Sequence, residues 1–191
     1  PVVGDFTQHL HRVAVSTEDA AGRRLIAFLG GTIGNFYVEE RRAFLGALAD
    51  VFRPGDHVLI GIDQLKSIDR LLAAYDDDQG VTEAFIRNAL VNINRSYGGD
   101  IDVGNFEYVP FWDGRQRRID MRLRASEPMR ARLRDLDLEL EVGADEELRV
   151  EISAKFTPAE LVDELAESGF GSAQVFADEA DDFALVLARL A

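Results

Sequence analysis

"LIAFLGGTIGNF", residues 25–36, is the stretch that decides the fold. Its apolar residues 25–29 predict a buried strand, and three glycines and an asparagine follow within the next six residues. Glycine loses more chain entropy on folding than any other residue, so such a turn must be required by backbone geometry or by a close neighbour. The stretch therefore predicts a strand that ends in a special turn, and it singles out Gly30 and Asn35.

The residues that follow predict a second, parallel strand. Residues 38–52 have the apolar spacing of a helix with one buried face, and "RPGD" (53–56) ends that helix. "HVLIGID" (57–63) is then a second apolar run of strand length. A strand, a helix and a strand joined by short links form a right-handed βαβ unit, which favours an open α/β sheet.

Ligands of such sheets bind beyond the carboxyl ends of the strands. Residues 30–35 and the pair Asp63–Gln64 lie at those ends. Neither a Walker loop nor a GxGxxG fingerprint is present in the turn. The position of the turn favours a binding loop over a plain tight turn, but it does not favour a phosphate site.

The rest of the chain divides into a middle part and an end. Residues 67–99 predict two helices, residues 105–125 a hairpin around Asp113–Gly114, and residues 136–156 a meander of antiparallel strands. At the end, Thr157, Pro158 and Glu160 predict a capped helix start, and two strands follow it. We expect three parts: residues 1–66 as half of a core, 67–147 as an inserted substrate-binding subdomain, and 148–191 as the end of the core.

Composition excludes several classes of function. The 191 residues carry a net charge of −14, which disfavours binding to nucleic acid or to an anionic membrane surface. The chain has no cysteine, and its three histidines lack the spacing of metal ligands, so no metal site is expected. The given sequence has no apolar run of about 18 residues, and no signal-peptide pattern opens it. We expect a cytoplasmic monomer that acts on a small molecule.

Several residue pairs have both a functional and an ordinary interpretation. Asp5 and Phe6 form an acid–aromatic pair that can bind adenine, and the alternative is a helix cap. Glu151 and Ser153 lie two apart in a predicted strand and share one of its faces, and the alternative is a solvated polar face.

Two further residues have a structural alternative. Tyr75 precedes three aspartates, and its alternative is the last packed residue of a helix. Met121 alternates with apolar residues, which is typical of the core side of a strand.

Five segments together resemble a known family. They are "VVGDF" (2–6), "LIAFLGGTIGN" (25–35), "LLAAYDDDQGVTEAFIRNALVNINR" (71–95), "RIDMRLR" (118–124) and "VEISAKF" (150–156). They resemble, in the same order and over essentially the whole chain, the S-adenosylmethionine-dependent histidine Nα-methyltransferases of the ergothioneine pathway. The resemblance implies a class I, Rossmann-like methyltransferase sheet with an inserted α+β substrate-binding subdomain. It also implies S-adenosyl-L-methionine as cofactor, L-histidine as substrate and the trimethylated betaine hercynine as product.

The resemblance also implies a contact for each candidate residue. Asp5 and Phe6 would contact the adenine. Asn35 and Tyr75 would hold the carboxylate of the amino acid, and the main chain of Gly30 would lie near its α-amine. The imidazole would be recognised by the segment Glu151, Ile152 and Ser153, with Met121 beside the ring. Gly30 and Asn35 form the implied catalytic set.

The chain departs from the family pattern in one respect. The cofactor loop of the G-x-G type and a substrate-contacting tyrosine lie, in the family, upstream of the position that Pro1 occupies. We therefore expect a C-terminal part that lacks the N-terminal part of the sheet. Two alternatives stay open: a methyltransferase for another small amino acid or amine, and an inactive ligand-binding fragment without the cofactor loop.

Overall fold

The computed structural model describes residues 3–12 and 22–191. It forms two compact units, unit 1 (Pro1–Leu65 with Ala154–Ala191) and unit 2 (Lys66–Ser153). The elements, in chain order, are β1 (Leu25–Phe28), α1 (Val38–Val51), β2 (His57–Asp63), α2 (Ile68–Tyr75), α3 (Val81–Tyr97), β3 (Phe106–Asp113), β4 (Arg118–Ala125), β5 (Met129–Leu133), β6 (Leu138–Val142), β7 (Glu147–Ala154), α4 (Pro158–Glu167), β8 (Phe170–Ala177) and β9 (Phe183–Leu190).

Unit 1 contains a four-stranded mixed sheet with the order β1-β2-β9-β8. β1 and β2 are parallel, with Leu25 opposite His57, whereas β9 is antiparallel to both β2 and β8. The predicted α/β sheet with a parallel pair of strands is confirmed, and β9 is its antiparallel member. Because parallel strands end at the same edge, the turn after β1 and the Asp63 end of β2 lie together.

The helices of unit 1 begin where their sequences predict, and an ion pair joins them. Thr157 and Glu160 form a reciprocal capping box at the start of α4, and Pro158 is the first helical residue. The guanidinium of Arg41 in α1 pairs with both carboxylate oxygens of Glu164 in α4 at 2.6 Å. The core beneath them contains the fully buried side chains of Leu45, Ile60, Leu161 and Val186.

Unit 2 has its own core between two helices and a three-stranded sheet. The β3–β4 hairpin is confirmed, and it pairs Phe106 with Ala125 and Asp113 with Arg118. The sheet order is β3-β4-β7, and the core includes the buried side chains of Ile86 and Leu123. No helix within residues 3–12 and 22–191 is long and apolar enough to span a bilayer.

The structure corrects the prediction that residues 25–29 form a buried strand. Leu25 is 59% exposed and Leu29 is 50% exposed. Among residues 3–12 and 22–191, β1 is the edge strand of the four-stranded sheet and pairs on one side, with β2. The strand exists where the sequence places it, but its ends are not in the core.

The structure also corrects the predicted meander over residues 136–156. β6 pairs with β5, a strand that the sequence interpretation missed, and β7 lies beside β4. The loop after β6 returns to the end of β4, where Asp145 and Glu146 exchange main-chain hydrogen bonds with Ala125. β7 therefore starts next to β4 and does not run back along β6.

Candidate functional site

The glycine turn of unit 1 has the backbone that its sequence predicts. Gly30 and Gly31 have φ angles of 79° and 71°, a left-handed conformation that residues with a Cβ rarely adopt. A 3-10 helix, Thr32–Asn35, follows, and the Thr32 hydroxyl donates to the carbonyl of Leu29 at 3.0 Å. Gly30 and Asn35 are both exposed at this edge of the sheet.

The third glycine of the turn is required by packing. A Cβ on Gly34 would lie 2.7 Å from the carbonyl oxygen of Ala154. Gly34 is buried and the neighbouring atoms belong to the main chain of Ala154, so this contact cannot relax without moving main chain. Gly34 is therefore required by packing, whereas Gly30 and Gly31 can present main chain at the edge of the sheet.

A buried ion pair lies beside this turn, and the sequence interpretation missed it. The Lys155 side chain has no exposed surface, and its Nζ contacts Asp63 Oδ2 at 2.6 Å. A Cβ on Gly31 would lie 4.0 Å from the Cβ of Asp63. The partners are 92 residues apart in the chain, so spacing could not reveal the pair. The available signal was a lone lysine within residues 152–156, where it directly follows the strand β7 and is flanked by Ala154 and Phe156.

Asp5 adopts the capping arrangement that the ordinary interpretation predicts. Its carboxylate accepts hydrogen bonds from the Thr7 amide at 2.8 Å, the Thr7 hydroxyl at 2.6 Å and the Gln8 side chain at 3.2 Å. The bond from the Thr7 hydroxyl is the main reason that the pKa of Asp5 is lowered. These hydrogen bonds stabilise the turn of residues 5–9, and they do not depend on a ligand.

Phe6 presents an accessible ring. It is 46% exposed and meets Phe28 edge-on, with 5.3 Å between ring centroids. Phe36 and Phe44 complete the aromatic group beneath it. One part of the Phe6 ring is thus supported by the core, while the rest is open to a stacking partner.

Unit 2 brings two of the candidate residues into direct contact. Tyr75 is the last residue of α2, and its hydroxyl donates to the hydroxyl oxygen of Ser153 in β7 at 2.7 Å. Ser153 is 7% exposed, so the alternative of a solvated polar face is wrong for this residue. The two hydroxyls come from segments that are distant in sequence, and they form a polar contact beside the core of unit 2.

Tyr108, which the sequence interpretation missed, belongs to the same group. Its hydroxyl donates to the main-chain carbonyl oxygen of Tyr75 at 2.9 Å. Burial is the main reason that the pKa of Tyr108 is raised, and the negative charges of Asp76, Asp77 and Glu151 add to the effect. Tyr108 therefore stays protonated and acts as a constant donor to the end of α2.

The remaining candidates of unit 2 have different degrees of burial. Glu151 is partly buried, and this burial raises the pKa of its carboxyl group. Ile152 and Met121 are each 4% exposed. Met121 belongs to the hydrophobic core of unit 2, as its ordinary interpretation predicts.

Comparison with known proteins agrees with the resemblance seen in the sequence. The chain is 45% identical over 187 residues to a histidine N-alpha-methyltransferase of Mycolicibacterium smegmatis, and 46% identical over 187 residues to one of Mycobacterium tuberculosis. Each alignment covers 98% of this chain and 57% of the relative, so the chain spans little more than half the length of these relatives.

A solved structure gives a weaker similarity. The CcbJ methyltransferase of Streptomyces caelestis is 12% identical, with a TM-score of 0.42, over all of this chain and 63% of that protein. The family model described as "Histidine-specific methyltransferase, SAM-dependent" matches residues 1–190. The chain therefore belongs to the histidine-specific, S-adenosylmethionine-dependent methyltransferases.

Proposed function

We propose that the intact protein transfers methyl groups from S-adenosylmethionine to the α-amine of L-histidine and forms the trimethylated betaine hercynine. Family membership and the names of the two mycobacterial relatives support this reaction. The observation that carries the proposal is the contact between Tyr75 and Ser153 of β7, the strand that also carries the partly buried Glu151. These groups offer the hydroxyl and carboxylate chemistry that an amino acid with an imidazole ring can use.

The turn of unit 1 has the chemistry to hold the amino-acid end of the substrate. Methyl transfer is a displacement at a sulfonium carbon, so the attacking amine must be neutral and in line. Positioning alone can contribute up to about 7–11 kcal/mol in well-oriented cases. We assign the exposed main chain of Gly30 to the amine and the amide group of Asn35 to the carboxylate, because an amide N–H donates well to that group. Tyr75 is the second proposed donor to the carboxylate.

Unit 2 supplies the groups for the ring. Neutral imidazole has one donor nitrogen and one acceptor nitrogen. The Ser153 hydroxyl can donate or accept, and the Glu151 carboxylate accepts. Burial destabilises the charged form of Glu151, so a ring N–H that donates to it removes part of that penalty. Ile152 and Met121 are the proposed apolar neighbours of the ring.

The residues assigned to the cofactor fit part of it. The Phe6 ring is accessible for stacking on adenine, and the Asp5 carboxylate, although it accepts three hydrogen bonds, retains lone pairs for an adenine amino group. S-adenosylmethionine, when bound, supplies the methyl group on its sulfonium. Asp5 and Phe6 would orient its adenine.

The test is a substrate panel on the intact protein. Incubation with S-adenosylmethionine and L-histidine should give mono-, di- and trimethylated histidine by mass spectrometry. Norvaline, which lacks a ring, should react far more slowly. Equal turnover of both amino acids would favour the broader methyltransferase alternative. Binding of histidine without any product would favour a ligand-binding protein.

A variant pair then tests the imidazole site. Glu151→Ala should lower kcat/KM for histidine about tenfold to a hundredfold, which is the usual effect of losing a hydrogen bond to a charged group. The matched control Glu139→Ala, in which the glutamate is exposed on β6, should leave kcat/KM unchanged. If Glu151→Ala behaves like the control, the assignment of Glu151 to the ring is wrong.

A further inference from the structure

An aromatic ring and a carboxylate flank the glycine turn of unit 1. Asp63, the last residue of β2, lies opposite Phe183, the first residue of β9. The Phe183 ring lies against the bare backbone of Gly61, where a Cβ would be 2.8 Å from the ring and 3.5 Å from the main-chain nitrogen of Gly30. A Cβ on Gly31 would lie 3.9 Å from the same ring and 4.0 Å from the Cβ of Asp63. A glycine inside a strand often marks a close approach of this kind.

Both side chains are accessible, and both attract cations. Phe183 is 36% exposed, and its amide donates to the Asp178 carboxylate at 2.8 Å, which fixes the start of β9. The Asp63 side chain is 27% exposed, whereas that of its partner Lys155 has no exposed surface. The ion pair therefore presents its carboxylate, and not its ammonium group, to solvent. A carboxylate attracts a cation by charge, and the face of an aromatic ring attracts one through its quadrupole.

We propose that Asp63 and Phe183 hold the α-amino group of the substrate by its positive charge, and keep hold of it while methyl groups replace its hydrogens. The proposal rests on the proposed function, because it takes the main chain of Gly30, next to this pair, as the site of the amine. In each transfer the nitrogen lone pair forms a bond to the methyl carbon, and the carbon–sulfur bond breaks with its electron pair left on sulfur. After the first and second transfers an N–H proton passes to water, which restores the lone pair.

A subsite that recognises charge suits three successive transfers better than hydrogen bonds alone. The ammonium group of histidine has three N–H donors, that of the dimethylated intermediate has one, and the trimethylated product has none. A main-chain carbonyl such as that of Gly30 therefore loses its hydrogen bond as methylation proceeds. Attraction to a carboxylate and to a ring face needs no N–H, and aromatic groups bind quaternary ammonium ions in this way. Asp63 also stabilises the positive charge that develops on nitrogen during each transfer.

The first experiment compares histidine with hercynine, by calorimetry on the intact protein in the presence of S-adenosylhomocysteine. Phe183→Leu should weaken hercynine about three- to thirtyfold, and histidine by less, because histidine keeps its N–H donors. Phe183→Tyr retains an aromatic ring and should bind hercynine like the unmodified protein. Phe176→Leu, which changes a 51% exposed phenylalanine of β8, is the matched control and should change neither affinity. An uncharged analogue of hercynine, with a tert-butyl group in place of trimethylammonium, should bind weakly throughout.

The second experiment tests Asp63 without leaving its buried partner uncompensated. Asp63→Ala/Lys155→Met removes both charges of the pair, so its melting temperature should lie well above that of Asp63→Ala. Hercynine should nevertheless bind this double variant about tenfold more weakly than the unmodified protein, because the carboxylate is absent. Mass spectrometry of its reaction products should show mono- and dimethylated histidine accumulating at the expense of hercynine.

The outcomes separate this subsite from the proposed function. If the unmodified protein neither binds nor methylates histidine, the proposed function fails, and the subsite fails with it. If histidine is methylated but Phe183→Leu weakens histidine and hercynine equally, or neither, the role of the ring is overturned. If Asp63→Ala/Lys155→Met binds hercynine as tightly as the unmodified protein, the role of Asp63 is overturned. Binding of the tert-butyl analogue as tight as that of hercynine would overturn recognition by charge altogether.

Discussion

The candidate residues of unit 1 and those of unit 2 differ in how their own unit holds them. In unit 1, Gly30 and Asn35 are exposed, and Phe6 is about half exposed. In unit 2, by contrast, Tyr75 and Ser153 are bonded to each other beside a hydrophobic core. Substitutions in the first group should change ligand binding with little effect on folding. Substitutions in the second group should change both.

The largest expected effect tests whether unit 1 is rigid beneath its exposed turn. Asp63→Ala would remove the carboxylate that the fully buried ammonium of Lys155 contacts. Breaking a buried pair on one side costs about 3–5 kcal/mol of unfolding free energy. Chemical denaturation should show this loss for Asp63→Ala and substantial recovery in Asp63→Ala/Lys155→Met.

An exposed ion pair provides the control for this prediction. Arg130 and Glu141 contact each other at 2.8 Å with side chains that are 83% and 71% exposed. Glu141→Ala should change the unfolding free energy by less than about 0.5 kcal/mol. Similar losses of unfolding free energy in Asp63→Ala and Glu141→Ala would mean that the pair beside the turn stabilises the fold no more than an exposed pair does.

The second prediction concerns Asn35, one of the exposed candidate residues of unit 1. Asn35→Ala should weaken histidine and norvaline alike, by about 1.5–3 kcal/mol, because both share the carboxylate. Its unfolding free energy should change by less than about 0.5 kcal/mol, as is usual for an exposed side chain. Calorimetry and denaturation on the same samples check both parts, with the exposed Asn92→Ala as control. Selective loss of histidine alone would show that Asn35 reads the ring.

The third prediction concerns Tyr108, which we treat as a positioning residue. Tyr108→Phe removes the hydrogen bond to the carbonyl of Tyr75, so unfolding free energy should fall by about 1 kcal/mol. KM for histidine should rise several-fold while kcat changes less, because Tyr108 acts through Tyr75 and touches no reacting atom. Tyr97→Phe, at the exposed end of α3, is the control. A fall in kcat with unchanged KM would contradict the positioning role.

The smallest expected effect is a pH dependence from Glu151. Burial raises the folded-state pKa of this carboxyl group above its unfolded value, so between the two values the folded protein binds more protons than the unfolded one. This contribution to stability is therefore present at low pH and is lost as pH rises through that window.

Glu151→Gln should remove the loss of stability with rising pH, because glutamine has no carboxyl group to ionise. The variant should be more stable than the unmodified protein at neutral pH, by less than about 1 kcal/mol because the carboxyl group is partly solvated, and no more stable below the unfolded pKa. Denaturation across the acid range measures this difference, with Glu139→Gln as control. An advantage of Glu151→Gln that grows as pH falls would contradict the sign.

Local signals predicted much of the fold. The capping box of Thr157 and Glu160 and the hairpin around Asp113–Gly114 are formed by residues close in sequence, so their chemistry is visible in the chain itself. The strand that lies beside β7, by contrast, could not be predicted from local sequence. Its place beside β4 depends on a loop that bonds to Ala125, and alternation in β7 is the same whichever strand it joins.

The candidate site follows the same division. Gly30, Asn35, Tyr75 and Ser153 lie in recognisable segments, so the sequence could single them out. Lys155 and Tyr108 could not be found in that way, because each acts through a partner brought close only by the fold. The candidate residues lie in segments that are distinctive in sequence, whereas the residues that support them are defined by contacts that only the fold creates.

The order of strands in unit 1 has a consequence for how the chain folds. β9 lies between β2 and β8, and all of unit 2 comes between β2 and β9 in the chain. During synthesis β2 can pair with β1 at once, but its second partner, β9, is made only after unit 2. Unit 2 is contiguous and can fold first, which shortens the effective loop that the β2–β9 pairing must close. Slow, non-local closure of this sheet, rather than formation of its helices, should limit the rate at which unit 1 folds.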